Sequence, residues 1–419
     1  MLRILRNIIS DINYLAFLVL LFMLPYGMQT IKICWIIWIV SWIFELRFLK
    51  RPQINLHTLF FFSGLAVWFL WNLLSVSWAD NKDISWDTIG RQVNLICLLP
   101  LIVWGVNDKY DLRTCMKVII LTALISSFTY LFAHYWVYNS QHAFNKFAPA
   151  TYHFNFLRMD DMLLEMKHRM HYSNLLCLAG IAIPALYPQL AARRGKTVAI
   201  ILSCLTLLWF GAVIYWTGSR IGLIILFALA GLAGLLKLKG WKRYVSAVAV
   251  ILLLLGFFFS MCYWHPRYKD INPQEWLRYN PESINPGNEA RLAIWNTIWE
   301  NRQEYPAYGL GAGNAQPFLQ KKYEERNWID YIQRRFNAHN QFFTTWMELG
   351  VIAAILFIAL WCYMPFCFSP RTRHLALYTD IILFLSMMVE NLLSGLEGII
   401  FTGIVLFLLT LSERQTAEA

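Results

Sequence analysis

Residues 197–238 read TVAIILSCLTLLWFGAVIYW, then TGSR, then IGLIILFALAGLAGLLKL. Two apolar blocks, each about the length an α-helix needs to cross the hydrocarbon core of a bilayer, are joined by a four-residue turn ending at Arg220. A helix satisfies its own backbone polar groups in lipid, so the pair reads as two transmembrane helices. The pattern continues on both sides. Further blocks fall near 12–28, 31–48, 57–78, 90–106, 114–138 and 171–190, and then near 244–264, 341–366, 374–392 and 396–412. The expected fold class is an all-α integral membrane protein of about twelve transmembrane helices, with a large periplasmic loop containing amphipathic helices. Composition agrees: 58% of the 419 residues are hydrophobic and 15% charged, against about 45–50% and about 25% in soluble domains. Trp78, Trp216, Trp264 and Trp361 lie near block ends, where amphipathic rings favour the headgroup zone.

The net charge of +11 would suggest nucleic acid in a soluble protein. Here much of it sits in short loops between spans, where it sets orientation, so nucleic acid is not an expected partner. The basic groups are Arg3/Arg6, Arg47/Lys50/Arg51, Lys109/Arg113/Lys117, Arg193/Arg194/Lys196, Lys237/Lys239/Lys242/Arg243 and Arg371/Arg373. Alternate loops are poor in Lys and Arg; one carries Asp80, Asp83 and Asp87. The positive-inside rule then places both termini in the cytoplasm. Residues 1–264 are expected to hold helices 1–9 with a periplasmic loop at 139–170. Residues 265–340 form the large periplasmic catalytic loop, and 341–419 hold helices 10–12 and a cytoplasmic tail. Met1 to Arg6 precedes a long apolar span without a small-residue cleavage site, so it reads as a retained first helix. The eight cysteines show no CxxC or zinc spacing and read as packing residues.

Basic charge in the long loops suggests an anionic ligand. In the second loop, Asn288 is a plausible N-cap for a helix in which Leu292, Trp295, Ile298 and Trp299 recur at helical spacing. This predicts an amphipathic helix at the membrane surface. Arg291 falls in its first turn. A helix N-terminus with a guanidinium fork can cradle a diphosphate; an arginine there can equally touch lipid phosphate. Arg220, at an external span end, is costly near the bilayer and hence a functional candidate, or it snorkels to headgroups. Gly309, Gly311 and Gly313 alternate in Tyr308-Gly309-Leu310-Gly311-Ala312-Gly313-Asn314, allowing a tight, bare backbone, but the Gly-Lys-Ser/Thr of a Walker loop is missing. His339, in Ala338-His339-Asn340-Gln341, should sit at the external surface, where imidazole can take a proton from an attacking hydroxyl near neutral pH.

Together these segments resemble the bacterial O-antigen ligase/polymerase superfamily: Thr217-Gly218-Ser219-Arg220 at a span start, Ala290-Arg291-Leu292-Ala293-Ile294-Trp295, the Tyr308–Asn314 glycine segment, and Ala338-His339-Asn340-Gln341 leading to Glu348-Leu349-Gly350. The resemblance implies transfer of a glycan from a polyprenyl diphosphate, with undecaprenyl diphosphate as carrier, at the outer face of the inner membrane. It implies that Arg220 and Arg291 engage the diphosphate and that His339 acts at the acceptor hydroxyl, without a cofactor or metal. The acceptor expected is lipid A–core, as for a ligase; a growing glycan (polymerase) or a protein hydroxyl (O-oligosaccharyltransferase) are the alternatives within the superfamily.

Further candidates for binding diphosphate or sugar are Arg91, His168, Arg169 and Asn340. His168 and Arg169 belong to a basic segment that also reads as an interfacial anchor. Asp160, Asp161 and Glu165 could hold a cation, though a helix start explains them as well. Glu45 and Glu390 lie in or near spans and are expected to face the bundle interior. A rival of another class is a lipid-linked glycan flippase. It should show repeat symmetry and charges spread through the spans; no repeat is visible, and the charged candidates cluster on one membrane face.

Overall fold

The computed structural model describes residues 2–49, 54–144, 169–264, 280 and 290–418. These form α-helices in the order α1 (Leu2–Met23), α2 (Met28–Phe44), α3 (Leu56–Ser75), α4 (Lys82–Ile96), α5 (Leu99–Trp104), α6 (Leu112–Phe144), α7 (Arg169–Arg194), α8 (Lys196–Trp216), α9 (Arg220–Lys237) and α10 (Trp241–Trp264). The second half continues with α11 (Ala290–Glu300), α12 (Ala315–Glu325), α13 (Ile329–Arg334), α14 (Gln341–Leu349), α15 (Val351–Tyr363), α16 (Pro370–Met387) and α17 (Leu396–Glu418). No strand occurs among the described residues. Among the described residues eight helices are long and apolar enough to cross a membrane: α1, α3, and α6 to α10, with α17. Met28–Phe44 and Val351–Cys367 are shorter apolar stretches. The chain is therefore an all-helical membrane protein.

Three of the expected spans are interrupted. The block at 90–106 divides into α4 and α5; Pro100 cannot donate the N–H that would carry α4 onward. The block at 341–366 divides at Gly350, whose φ of 89° leaves the helical region. An added Cβ there would lie 2.0 Å from the Ala307 carbonyl oxygen, so the glycine is where a loop backbone presses on the helix junction. The block at 374–392 stops at Met387, and residues 388–395 form a turn. In each case a polar or glycine-containing segment is freed from helix, and the last two supply the site below.

The chain divides into two compact units, each discontinuous in sequence. The first comprises 1–52 and 104–270, the second 53–103 and 271–419. In the first, α1, α2 and the turn that leads into α6 are locked by a buried polar network. The Asn13 amide donates to the Trp38 carbonyl (2.8 Å), while Tyr110 donates to Asn13 Oδ1 (2.7 Å) and accepts from the Trp38 indole (2.8 Å). Paired in this way, the polar groups add specificity without an unpaired cost. In the same unit α7 and α9 approach closely, since a Cβ on Gly222 would lie 2.6 Å from that of Ser173.

In the second unit α11 to α14 enclose an aromatic core of Ile294, Ile298, Tyr305, Leu319, Tyr323, Trp328, Tyr331 and Met347. The face of α11 turned to this core is Ala293, Ile294, Thr297 and Ile298. Trp299, also on the expected apolar stripe, is exposed. Asn288, the expected N-cap of α11, lies outside the described residues. A groove of about 920 Å³ runs along α3 and α15 to Ala307 and Tyr308. Its lining includes Phe60, Val67, Trp71, Leu356 and Leu360 and no charged residue, so it suits hydrocarbon rather than chemistry.

Candidate functional site

His339 lies in the short segment between α13 and α14, with a φ of 44°. A left-handed conformation is uncommon for a residue with a Cβ. It is held by the surrounding bonds: the His339 N–H donates to Asn337 Oδ1 at 2.8 Å, and the Phe336 ring meets the imidazole edge-on at 5.8 Å. The turn 388–393 supplies the rest. His339 Nδ1 is 3.1 Å from each carboxylate oxygen of Glu390. With Nδ1–H donating to that carboxylate, Nε2 is left as the acceptor, the arrangement that orients a base. Side-chain exposure is 23% for His339 and 17% for Glu390, so a substrate can reach the pair.

The same turn fixes two more expected site residues. Arg291 donates from Nε to the Val389 carbonyl at 3.1 Å, which ties its guanidinium to the residue before Glu390. Asn340 caps α14, its Oδ1 accepting from the N–H groups of Phe342 (2.9 Å) and Phe343 (3.0 Å). Its amide nitrogen donates to the Met388 carbonyl (2.9 Å), and its own N–H donates to Asn391 Oδ1 (2.9 Å). Gln341 Oε1 accepts from the Leu393 N–H at 2.8 Å. Thus Asn340 acts as a strut between the His339 segment and the Glu390 turn.

The glycine segment has a different occupation. The N–H of Leu310 donates to the Met347 carbonyl (2.8 Å) and that of Gly311 to the Glu348 carbonyl (2.9 Å). Ala312 N–H donates to Ser75 Oγ (2.9 Å). The Glu348 side chain accepts from the N–H groups of Gly313 and Ala315. Asn314 accepts from the Asn81 N–H at 3.0 Å. Backbone donors that could have cradled a phosphate are spent on α3 and α14. Helix α14 is only nine residues long, too short to span a bilayer. Burial pushes the Glu348 carboxyl up to about 7, against the backbone N–H donors of Gly313 and Ala315 and the Arg91 charge, which pull it down. Arg91 therefore belongs with this clasp; it also pairs with Asp87 and donates to Thr88 Oγ1 at 3.2 Å.

Arg220 opens α9 in the first unit. Ser219 caps that helix, its hydroxyl accepting from the Gly222 N–H at 3.2 Å, and the turn before it is made by Gly218 at a φ of 66°. Arg220 is half-buried. Arg169 begins α7 in the same unit, while His168, Asp160, Asp161 and Glu165 lie outside the described residues. The structure so brings together His339, Asn340 and Arg291, and adds Glu390, Asn391 and Gln341, which sequence reasoning did not assign to the site. The available signal was Glu390 itself: a carboxylate ending an apolar block is costly and needs a partner. No group of three or more His, Cys, Asp or Glu suited to a metal ion occurs among the described residues.

No curated protein matches the chain. Residues 190–358 match the family model described as O-antigen ligase, and over that stretch, which takes in Arg220, Arg291, the glycine segment and His339, the chain carries a domain of the O-antigen ligase superfamily.

Proposed function

We propose that this protein is an O-antigen ligase, a membrane glycosyltransferase that moves a glycan from undecaprenyl diphosphate to a sugar hydroxyl of lipid A–core at the periplasmic face of the inner membrane. The observation that carries the reading is the His339–Glu390 pair with Arg291 tied to the adjacent Val389 carbonyl. Glu390 holds the imidazole so that Nε2 takes the proton of the acceptor hydroxyl. The acceptor oxygen forms a bond to the anomeric carbon as the bond from that carbon to the diphosphate oxygen breaks. The diphosphate leaves with the electron pair, and Arg291 stabilises its charge. Arg220 enters through its sequence setting: an arginine at a span end, matching the family's diphosphate residue. Two guanidinium groups can neutralise a leaving diphosphate without a cation, so transfer should persist in EDTA.

The lipopolysaccharide banding of a deletion strain tests the reaction. Loss of all capped chains, restored by the wild-type gene and not by Arg291→Lys, is expected, because lysine keeps the charge but not the bidentate fork. A single capped repeat in the deletion strain would identify a polymerase, and unchanged banding would remove the chain from this reaction.

A further inference from the structure

Five arginines lie between Arg291 and His339, both ends included. Three are tied down. Arg291 bonds the Val389 carbonyl, Arg302 stacks over the Trp299 ring at 4.9 Å, and Arg326 pairs with Glu300 at 2.7 Å and donates to Thr297 at 2.8 Å. The neighbouring Lys322 is held by Glu304 and Glu325. Arg334 and Arg335 differ: both are exposed, and among the described residues neither takes a salt bridge, although Asp330 lies one turn back on α13.

Their backbone is also unusual. Arg335 is the C-cap of α13, at a φ of 51° and ψ of 48°. Glycine is the residue that meets this conformation without strain. Among the described residues four non-glycine residues have positive φ: Leu46, Asn327, Arg335 and His339. Two of the four fall within five residues of each other, on the segment that presents the imidazole. Strained backbone of this kind persists where surrounding bonds impose it and concentrates at functional sites. Here Gln316 holds the Arg335 carbonyl at 2.7 Å, and Phe336 packs between Tyr331 (5.2 Å) and His339 (5.8 Å). Four residues of chain limit the Arg335–His339 Cα separation to about 14 Å.

We infer that Arg334 and Arg335 form a subsite for phosphate or carboxylate groups on the acceptor, placed within one or two sugar rings of the hydroxyl that His339 deprotonates. This rests on the reading of His339 as the acceptor-side base. The diphosphate is assigned to Arg291, which is anchored on the Val389 carbonyl of the turn after α16, so a second anion-binding pair on a separate element, the end of α13 that leads into His339, serves the incoming substrate. Two exposed guanidinium forks suit doubly charged oxyanions, and their exposure makes the contribution salt-sensitive.

The test uses the full-length protein in neutral detergent, with Arg334→Gln/Arg335→Gln and Arg334→Lys/Arg335→Lys as variants. The probe is lipid A–core carrying its phosphate and carboxylate groups, against the same acceptor after dephosphorylation and carboxyl reduction. For the Gln pair the apparent KM for the charged acceptor should rise about tenfold, with kcat and the donor KM unchanged. The Lys pair should recover most of the loss, and the stripped acceptor should not distinguish wild type from either variant. An unchanged KM, or an equal rise with the stripped acceptor, would overturn the inference. So would a defect that appears only when anionic phospholipid is added, which would make the pair a headgroup anchor. Binding of the charged acceptor without donor separates this from the reaction: a wild type that binds and never transfers sinks the ligase reading, whereas equal binding by wild type and the Gln pair sinks the subsite.

Discussion

Segments 308–314 and 335–341 are both short and bent by residues at positive φ, yet they are put to opposite uses. In the first the bends are made by Gly309, Gly311 and Gly313, and a Cβ at each would lie within 2.3–2.6 Å of a neighbouring atom. The bare backbone is pressed against Glu348, Ala79 and Thr88, and the N–H groups are consumed by Met347, Glu348 and Ser75. In the second the bends are made by Arg335 and His339, which keep their side chains and present them. Glycine marks where the chain must close; a side chain retained in the same conformation marks where chemistry is displayed.

This contrast can be broken in several ways. The largest effect is expected from His339→Ala, which should lower kcat for glycan transfer by roughly 10²–10⁴-fold while the protein accumulates in the membrane at the wild-type level. Next is Glu390→Gln, which preserves the shape of the orienting partner and removes its charge. A fall in kcat of about 10–10²-fold with the KM for both substrates held is expected from steady-state kinetics; an unchanged kcat would reduce Glu390 to a structural bond.

Glu348→Gln should act on stability rather than transfer. A buried carboxyl whose folded value is about 7, against 4.5 for the free group, binds its proton more tightly when folded. Its contribution is thus fully present below about pH 4.5 and is lost as pH rises toward 7, up to about 3 kcal/mol in all. Thermal melts across that window should fall with pH in the wild type and flatten in the glutamine variant, with kcat the same in both. A parallel pH slope in the two proteins would detach Glu348 from it.

Much of the fold was legible because apolar length is a strong signal. The blocks at 57–78, 197–216 and 221–238 correspond to α3, α8 and α9 within a few residues. The breaks at Pro100 and Gly350 were not, since one proline or glycine inside an apolar block does not say whether tertiary contacts will use it. Gly350 is decided by the Ala307 backbone, some forty residues away. At the site, His339 and Arg291 were found because they sit on locally recognisable motifs. Glu390 is 51 residues from His339 at the end of an apolar block, and only the turn after α16 brings the two together. The glycine segment was read as a bare backbone of open purpose; its bonding partners, contributed by α3, α4 and α14, are invisible to local sequence.

The division of labour between the two segments is tested most directly by Gly311→Ala, with transfer measured per folded molecule alongside His339→Ala. An alanine Cβ would meet that of Ala79 at 2.6 Å and the Ser75 carbonyl oxygen at 2.9 Å, in a backbone conformation at φ +90°, a cost of about 2–4 kcal/mol. The result predicted is less folded protein in which each surviving molecule transfers glycan at close to the wild-type rate. A full complement of folded Gly311→Ala protein that transfers no glycan would contradict it and would place the glycine segment within the chemistry.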